Sequence, residues 1–228
     1  MDIAVTLWAN AGVALTIGEK GVWIDPFSVQ KQPGFSVLGP FLAQKIRRHP
    51  SISGLTACCF THKHGDHYSA AYTKEARVLY PDAAFFLPEE AWGSEYTARI
   101  DDLTLRFLRL PHEGAQYADV CHYGLLISYQ GRNILVSGDC AVAAEELAQA
   151  LQGQKIHLAI LNFPWLTLRK GRQFVEQYLK DSQILLVHLP FEEDDTFGYR
   201  AAAEKECAAG TFRAQPLMDP LQTVELTI

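Results

Sequence analysis

The stretch His62-Lys63-His64-Gly65-Asp66-His67 puts three imidazoles and a carboxylate into six positions, immediately after the apolar run Leu55–Phe60. A continuous apolar run of that length reads as a strand buried on both faces. If the extended conformation persists past it, side chains two apart share a side, so His62 and His64 converge. Asp66 then falls at the N-cap of a helix expected over Asp66–Tyr80, with Glu75 and Arg77 on its exposed face. In a chain with 8 histidines, this four-residue spacing arises by chance at roughly one in two thousand. It demands a rigid scaffold that holds polar groups at a strand end, and zinc, manganese and ferrous iron all accept such mixed imidazole and carboxylate sets.

Three further candidates sit where an apolar strand-like run stops. His112 follows Leu103–Leu110, Asp139 follows Asn133–Ser137, and His188 closes Ile184–His188. Side chains that leave a buried strand at a backbone turn are the usual site residues of a rigid scaffold. With the cluster they make seven ligands, enough for two ions. The other histidines read as structural or exposed: His122 opens an apolar strand, His157 precedes Leu158, and His49 ends a helix.

Further strands are expected at Ile3–Trp8, Val13–Ile17, Gly21–Asp25, Ala84–Leu87, His122–Tyr129, Leu158–Leu161 and Thr223–Ile228. Helices are expected at Phe41–Arg48, Ala143–Leu151, Arg172–Leu179 and Tyr199–Ala209. The first half is strand-rich, the second mixed, and no Ser/Gly/Pro linker or repeat divides them. One layered α/β domain over residues 1–228 is the expectation. The formal charge is −6, from 20 Lys+Arg against 26 Asp+Glu. That balance disfavours a nucleic-acid binder, which needs clustered cations. No run approaches the roughly 18 apolar residues of a membrane span. The apolar opening Ile3–Ile17 lacks the positive start of a signal peptide, carrying Asp2 instead. Five irregularly spaced cysteines (Cys58, Cys59, Cys121, Cys140, Cys207) read as reduced thiols in a cytoplasmic protein.

The order His62-x-His64-x-Asp66-His67, His112, Gly138-Asp139, His188 resembles the metallo-β-lactamase superfamily. The early Asn10-Ala11-Gly12 and Trp23-Ile24-Asp25-Pro26 are similar to that family's opening hairpin. The resemblance spans essentially the whole chain and implies a four-layer αββα sandwich with the site at one edge of two sheets. It also implies that His62, His64 and His112 hold one metal ion, that Asp66, His67 and His188 hold a second, and that Asp139 bridges them. A water between the ions would then act as hydroxide near neutral pH, with Asp66 orienting it and passing a proton to the leaving group. Asp25 would accept a hydrogen bond from a ligand imidazole. Among compact members, the group related to a lactonase of a phosphorylated sugar acid is the nearest in kind.

The resulting expectation is a hydrolase with two divalent ions, zinc first and manganese or iron as alternatives, acting on a small ester, lactone or phosphodiester. Two other readings stand beside it: a nuclease or cyclic-nucleotide phosphodiesterase of the same fold, and a non-catalytic metabolite sensor. Asn162–Trp165 and Phe191–Tyr199 leave buried strands and either shape a substrate pocket or are ordinary anchored loops.

Overall fold

The computed structural model describes residues 1–46, 49, 54–90 and 92–228. The chain folds into two compact units: Met1–Glu90 with His188–Phe197 and Met218–Ile228, and Ala91–Val187 with Gly198–Leu217.

The first unit is built on a six-stranded sheet. Its strands are β1 (Asp2–Ala9), β2 (Gly12–Ile17), β3 (Lys20–Ile24), β4 (Leu55–Cys59), β5 (Ala84–Phe86) and β13 (Thr223–Thr227), in the order β13-β1-β2-β3-β4-β5. Along β1 only Asp2 is exposed and Ala4 half-buried, and every residue from Val5 to Ala9 is buried, so the strand is covered on both faces from Val5 onward. The β1–β2 turn puts Asn10 at φ 50°, and Gly12 follows because a Cβ there would lie 2.7 Å from the Asp25 carbonyl oxygen. Strands β3, β4 and β5 run parallel, so each link needs a crossover. Helix α1 (Pro40–Ile46) lies in the first and α2 (Ala70–Leu79) in the second. Trp8, Trp23, Phe27, Phe60 and Phe191 belong to the core of this unit.

The second unit holds a seven-stranded sheet, ordered β12-β11-β10-β9-β8-β7-β6. The antiparallel half comprises β6 (Glu95–Ile100), β7 (Leu103–Arg109), β8 (Tyr123–Tyr129) and β9 (Arg132–Val136). The tight β8–β9 turn takes Gln130 and Gly131 to positive φ, as two-residue hairpins require. From β9 onward the sheet is parallel, through β10 (Leu158–Asn162), β11 (Gln183–Val187) and β12 (Ala214–Pro216). Helices α3 (Glu145–Leu151), α4 (Pro164–Thr167), α5 (Arg169–Tyr178) and α6 (Tyr199–Ala208) fill the crossovers. Leu158, Ala159, Ile160 and Leu161 are all buried, the continuous apolar pattern of a strand covered on both faces. Among the described residues no helix is long and apolar enough to cross a membrane.

Three expectations change. The helix expected over Asp66–Tyr80 begins only at Ala70, capped by Ser69, whose hydroxyl accepts from the Tyr72 N–H at 3.4 Å. Asp66 is therefore no cap. It sits in a turn closed by the His67 and Tyr68 N–H groups, both on the His64 carbonyl at 2.9 Å. Strand β4 stops at Cys59, so His62 and His64 do not ride on an extended strand. Strand β6 was not anticipated, because Glu95–Ile100 is mostly exposed and offers little apolar alternation to read. The helix expected over Phe41–Arg48 is present as Pro40–Ile46, with residues 47 and 48 outside the described ones.

Candidate metal centre

In the first unit the side chains gather around one buried carboxylate. Asp25, at φ 47° just past β3, is 1% exposed. Its Oδ1 accepts the Thr61 N–H at 2.7 Å and its Oδ2 accepts the Thr61 hydroxyl at 2.6 Å. Its own N–H donates to the Cys59 carbonyl at 3.0 Å. The end of β3 thus holds the chain just beyond β4, where the histidines begin.

This arrangement assigns the imidazole protons. The Thr61 hydroxyl donates its proton to Asp25 Oδ2. The hydroxyl oxygen then accepts from His62 Nδ1–H at 2.9 Å, which leaves Nε2 as the lone-pair nitrogen of His62. His67 Nδ1 donates to Asp25 Oδ2 at 2.9 Å, so its lone pair is likewise on Nε2. One buried acid therefore sets two tautomers, a common role for the partners of metal-binding histidines.

The ring nitrogens converge. His62 Nε2 lies 2.9 Å from His64 Nδ1, and His67 Nε2 lies 3.3 Å from His188 Nε2. Asp66 Oδ2 is 3.9 Å from His67 Nε2 and 3.7 Å from His188 Nε2. Tetrahedral Zn–N bonds of about 2.0–2.1 Å imply ligand–ligand edges of about 3.3 Å, close to the His67–His188 separation. Donor type, the tautomers of His62 and His67, and the His67–His188 spacing fit a divalent cation.

His188 reaches the cluster through an unusual backbone. It has φ 61°, a conformation rare outside glycine and found where surroundings over-determine it. Its N–H donates to the Asn10 carbonyl at 2.9 Å, and the Phe35 ring packs against its imidazole at 4.4 Å. Asn10 is itself clamped: its amide donates to Ser28 Oγ and its Oδ1 accepts the Ser36 N–H, each at 3.0 Å. The Phe191 N–H donates to Ser36 Oγ at 2.7 Å, and Lys31 pairs with Asp194, holding that carboxyl below its ordinary range. The start of the Phe191–Tyr199 loop is thus anchored through Phe191 and Asp194.

The second unit contributes His112 and Asp139. An isolated bridge pairs His112 with Cys140, and the Glu113 N–H donates to the Asp139 carbonyl at 2.8 Å. His112 Nδ1 donates to the Glu113 carbonyl at 2.7 Å, again leaving Nε2 as the lone-pair nitrogen, 3.6 Å from Asp139 Oδ2. Asn162, at the end of β10, donates to Asp139 Oδ1 at 2.6 Å and so turns the other carboxylate oxygen towards His112. His122 is fully buried with Nδ1 on the Leu110 carbonyl at 3.3 Å and its ring 5.6 Å from that of His112, a structural brace. His157 accepts the Asn133 N–H at 3.1 Å. Arg172 serves the fold, donating to the Leu166 and Thr167 carbonyls.

Of the seven ligand candidates, the structure thus brings His62, His64, Asp66, His67 and His188 together in one unit, with Asp25 beneath them, and His112 and Asp139 together in the other. Sequence reasoning missed the roles of Thr61, Asn10 and Asn162. Each is a lone polar residue at a turn or strand end, and only the neighbouring histidines or aspartates could have drawn attention to it. The buried cysteines Cys58, Cys59 and Cys140 are not set up as nucleophiles. Burial holds the Cys58 and Cys59 thiols well above their ordinary range, with the charge of Asp25 adding to it. Burial does the same for Cys140, helped by Glu146, Glu113 and Asp139.

No protein-family model matches the chain and no curated protein matches it, whereas solved structures do. A possible metal-dependent hydrolase from Veillonella parvula is 16% identical, with 97% of this chain and 98% of that one covered and a TM-score of 0.67. An isothiocyanate hydrolase from Delia radicum gut bacteria is 17% identical over 97% and 98%, with a TM-score of 0.65. A metallo-β-lactamase fold protein from Bacillus subtilis is 14% identical over 98% and 99%, with a TM-score of 0.60.

Proposed function

On the metallo-β-lactamase fold that this chain adopts, we propose a metal-dependent hydrolase in which His62, His64, Asp66, His67, His112, Asp139 and His188 hold two divalent ions, zinc before manganese or iron. The observation that carries this reading is the Asp25 carboxylate, which through Thr61 and His67 presents two imidazole lone pairs among further donors. Buried histidines kept for packing need no such uniform orientation. When bound, the ions supply an acidified water and an electrophilic partner for the substrate oxygen.

The chain's own groups do the rest. Asp25 fixes the imidazoles of His62 and His67 so that they do not turn or change tautomer during a cycle. Asn162 fixes the carboxylate of Asp139. Asp66 orients the attacking water and takes its proton, then returns it to the leaving group, so no proton is lost over a turnover. The substrate class we favour is a small ester, lactone or phosphodiester. The isothiocyanate hydrolase among the structural neighbours adds another small electrophile to the panel. A net charge of −6 weighs against a polyanion. Buried thiols at Cys58, Cys59 and Cys140 suit a reducing compartment, and we place the enzyme in the cytoplasm.

The test is metal content per chain by plasma mass spectrometry on untagged protein, for the parent and for His64→Ala and His188→Ala. Near two equivalents in the parent, lowered by either substitution, supports the centre. Turnover of a lactone, phosphodiester, thioester or isothiocyanate that vanishes in Asp66→Ala supports the hydrolase. Content near zero after reconstitution with zinc, manganese and iron overturns both. Two bound ions without turnover on any substrate class would favour a sensor.

A further inference from the structure

The edge strands of the two sheets differ in how they are guarded against pairing with another chain. Strands β5 and β12 are each 3 residues long, and β12 ends in Pro216. Strand β6, at the end of its sheet among the described residues, runs 6 residues with no proline, no lysine and an unbroken register against β7. Its Glu95, Tyr96, Thr97 and Arg99 are exposed.

The ladder decides which backbone groups of β6 point outward. The Arg109 N–H donates to the Ser94 carbonyl at 2.9 Å, and on the far side of β7 the Leu110 N–H donates to the His122 carbonyl at 3.1 Å. Hydrogen-bonded pairs alternate along an antiparallel ladder, so Tyr96, Ala98 and Ile100 bond Phe107, Leu105 and Leu103. The N–H and C=O groups of Glu95, Thr97 and Arg99 therefore face the open side. A second β6, running antiparallel about a two-fold axis, uses all three residues only when Thr97 meets the partner's Thr97. Glu95 then stands opposite the partner's Arg99, and Arg99 opposite the partner's Glu95. Opposite charges directly across a ladder attract, whereas like charges repel. Backbone and charge thus choose the same register.

Neighbouring side chains suit the contact. Arg106 Nε and Nη2 bond the two Glu95 oxygens at 2.7 and 2.8 Å, and each oxygen keeps a further lone pair for the partner's Arg99. On the other face Tyr96 stands opposite the partner's Ala98, its ring stacked on Trp92 at 5.4 Å. Strand β13 offers no such match. Met1 and Ile228 exchange both hydrogen bonds at 3.0 Å, which turns Thr223, Glu225 and Thr227 outward. Two-fold pairing there sets Glu225 against its own copy.

We propose that β6 is the interface of a symmetric dimer of this chain, in which two copies pair their β6 strands antiparallel about Thr97 and join their seven-stranded sheets into one. The interface is small, so association is weak and reversible.

The test is sedimentation equilibrium of the full chain from low micromolar to near-millimolar concentration, with amide exchange followed by NMR over the same range. The parent should pass from one chain to two. As it does so, the amides of Glu95, Thr97 and Arg99 should gain protection, while those of Tyr96, Ala98 and Ile100 stay protected throughout. Thr97→Pro removes an outward N–H, leaves the bonds to β7 in place and should keep the chain monomeric. Arg99→Glu and Glu95→Lys should each weaken association about tenfold or more, because each reverses both symmetric pairs. An equimolar mixture of these two variants should recover it, since every reversed charge then meets its opposite. If Thr97→Pro does not fold, the two charge variants, at exposed positions, carry the test. A parent that stays one chain at every concentration overturns the proposal. So does Arg99→Glu protein that associates as the parent does, or a mixture no tighter than its parts. Glu95, Thr97 and Arg99 are not metal-ligand candidates, so failure here leaves the hydrolase reading intact.

Discussion

Replacing Asp25 by Asn keeps the shape of the side chain and removes one of its two acceptor oxygens. If the amide oxygen keeps the Thr61 N–H, now at 2.7 Å, the amide nitrogen occupies the place of Oδ2. There it faces the Thr61 hydroxyl at 2.6 Å and His67 Nδ1 at 2.9 Å, and it can only donate to both. His67 must then offer Nδ1 as acceptor and carry its proton on Nε2, the nitrogen 3.3 Å from His188. The Thr61 hydroxyl, accepting from the amide, ceases to orient His62. Loss of such a partner costs about 10- to 100-fold in metal affinity, or about 1.4–2.8 kcal/mol. The assay is zinc titration of stripped protein against a competing chelator. Nitrogen-15 NMR of the metal-free histidines, read beside it, should show the His67 proton moving from Nδ1 to Nε2. The mechanism is refuted if Asp25→Asn keeps the parent's tautomer and binds zinc as the parent does. A changed melting temperature alone would count for neither side.

Gly12→Ala should destabilise the chain by about 1–3 kcal/mol, because its Cβ would meet two backbone oxygens, of Asp25 at 2.7 Å and of Ala9 at 3.0 Å. Thermal melts check this, with about 2–4 °C lost per kcal/mol for a chain of this size. Asn162→Ala frees Asp139 Oδ1 from its donor at 2.6 Å and should weaken metal binding about tenfold or more with little change in circular dichroism; unchanged affinity would remove Asn162 from the centre. His157 has a pKa below its ordinary value, through burial first and then Arg132 and Lys155. Its contribution to stability is therefore present above the unfolded pKa and lost as pH falls through the folded one. Urea midpoints at about pH 7.5 and about pH 5 should differ more for the parent than for His157→Gln. Equal differences would show that His157 plays no part.

The sequence disclosed the candidate ligands more readily than the groups that hold them. Three histidines and an aspartate in six positions are improbable by chance, and apolar strands ending at His112, Asp139 and His188 marked the other candidates. Asp25 was reached only through a family resemblance, since a lone aspartate after a strand is commonplace. Thr61 immediately precedes the histidine stretch and carries no sequence signal of its own, because its function depends on a partner 36 residues away in the chain. The start of α2 was misplaced because Asp66 and Ser69 are equally good caps by type. What decides between them is the turn on the His64 carbonyl, a tertiary fact. Strand β6 escaped because edge strands that face water carry little hydrophobic signal.

The first unit draws on three stretches of chain, with β1 paired along one side to β13, Asp2 opposite Thr227. On the ribosome, where synthesis proceeds at about 5–20 residues per second, β1 waits roughly ten seconds or more for that neighbour. His188 arrives only after the whole Ala91–Val187 stretch has been made. A nascent chain therefore holds an open strand edge, with His62, His64, Asp66 and His67 already made, before His188 joins them. On the proposed assignment, zinc captured that early would meet an incomplete set of donors, and β1 would still lack its β13 neighbour.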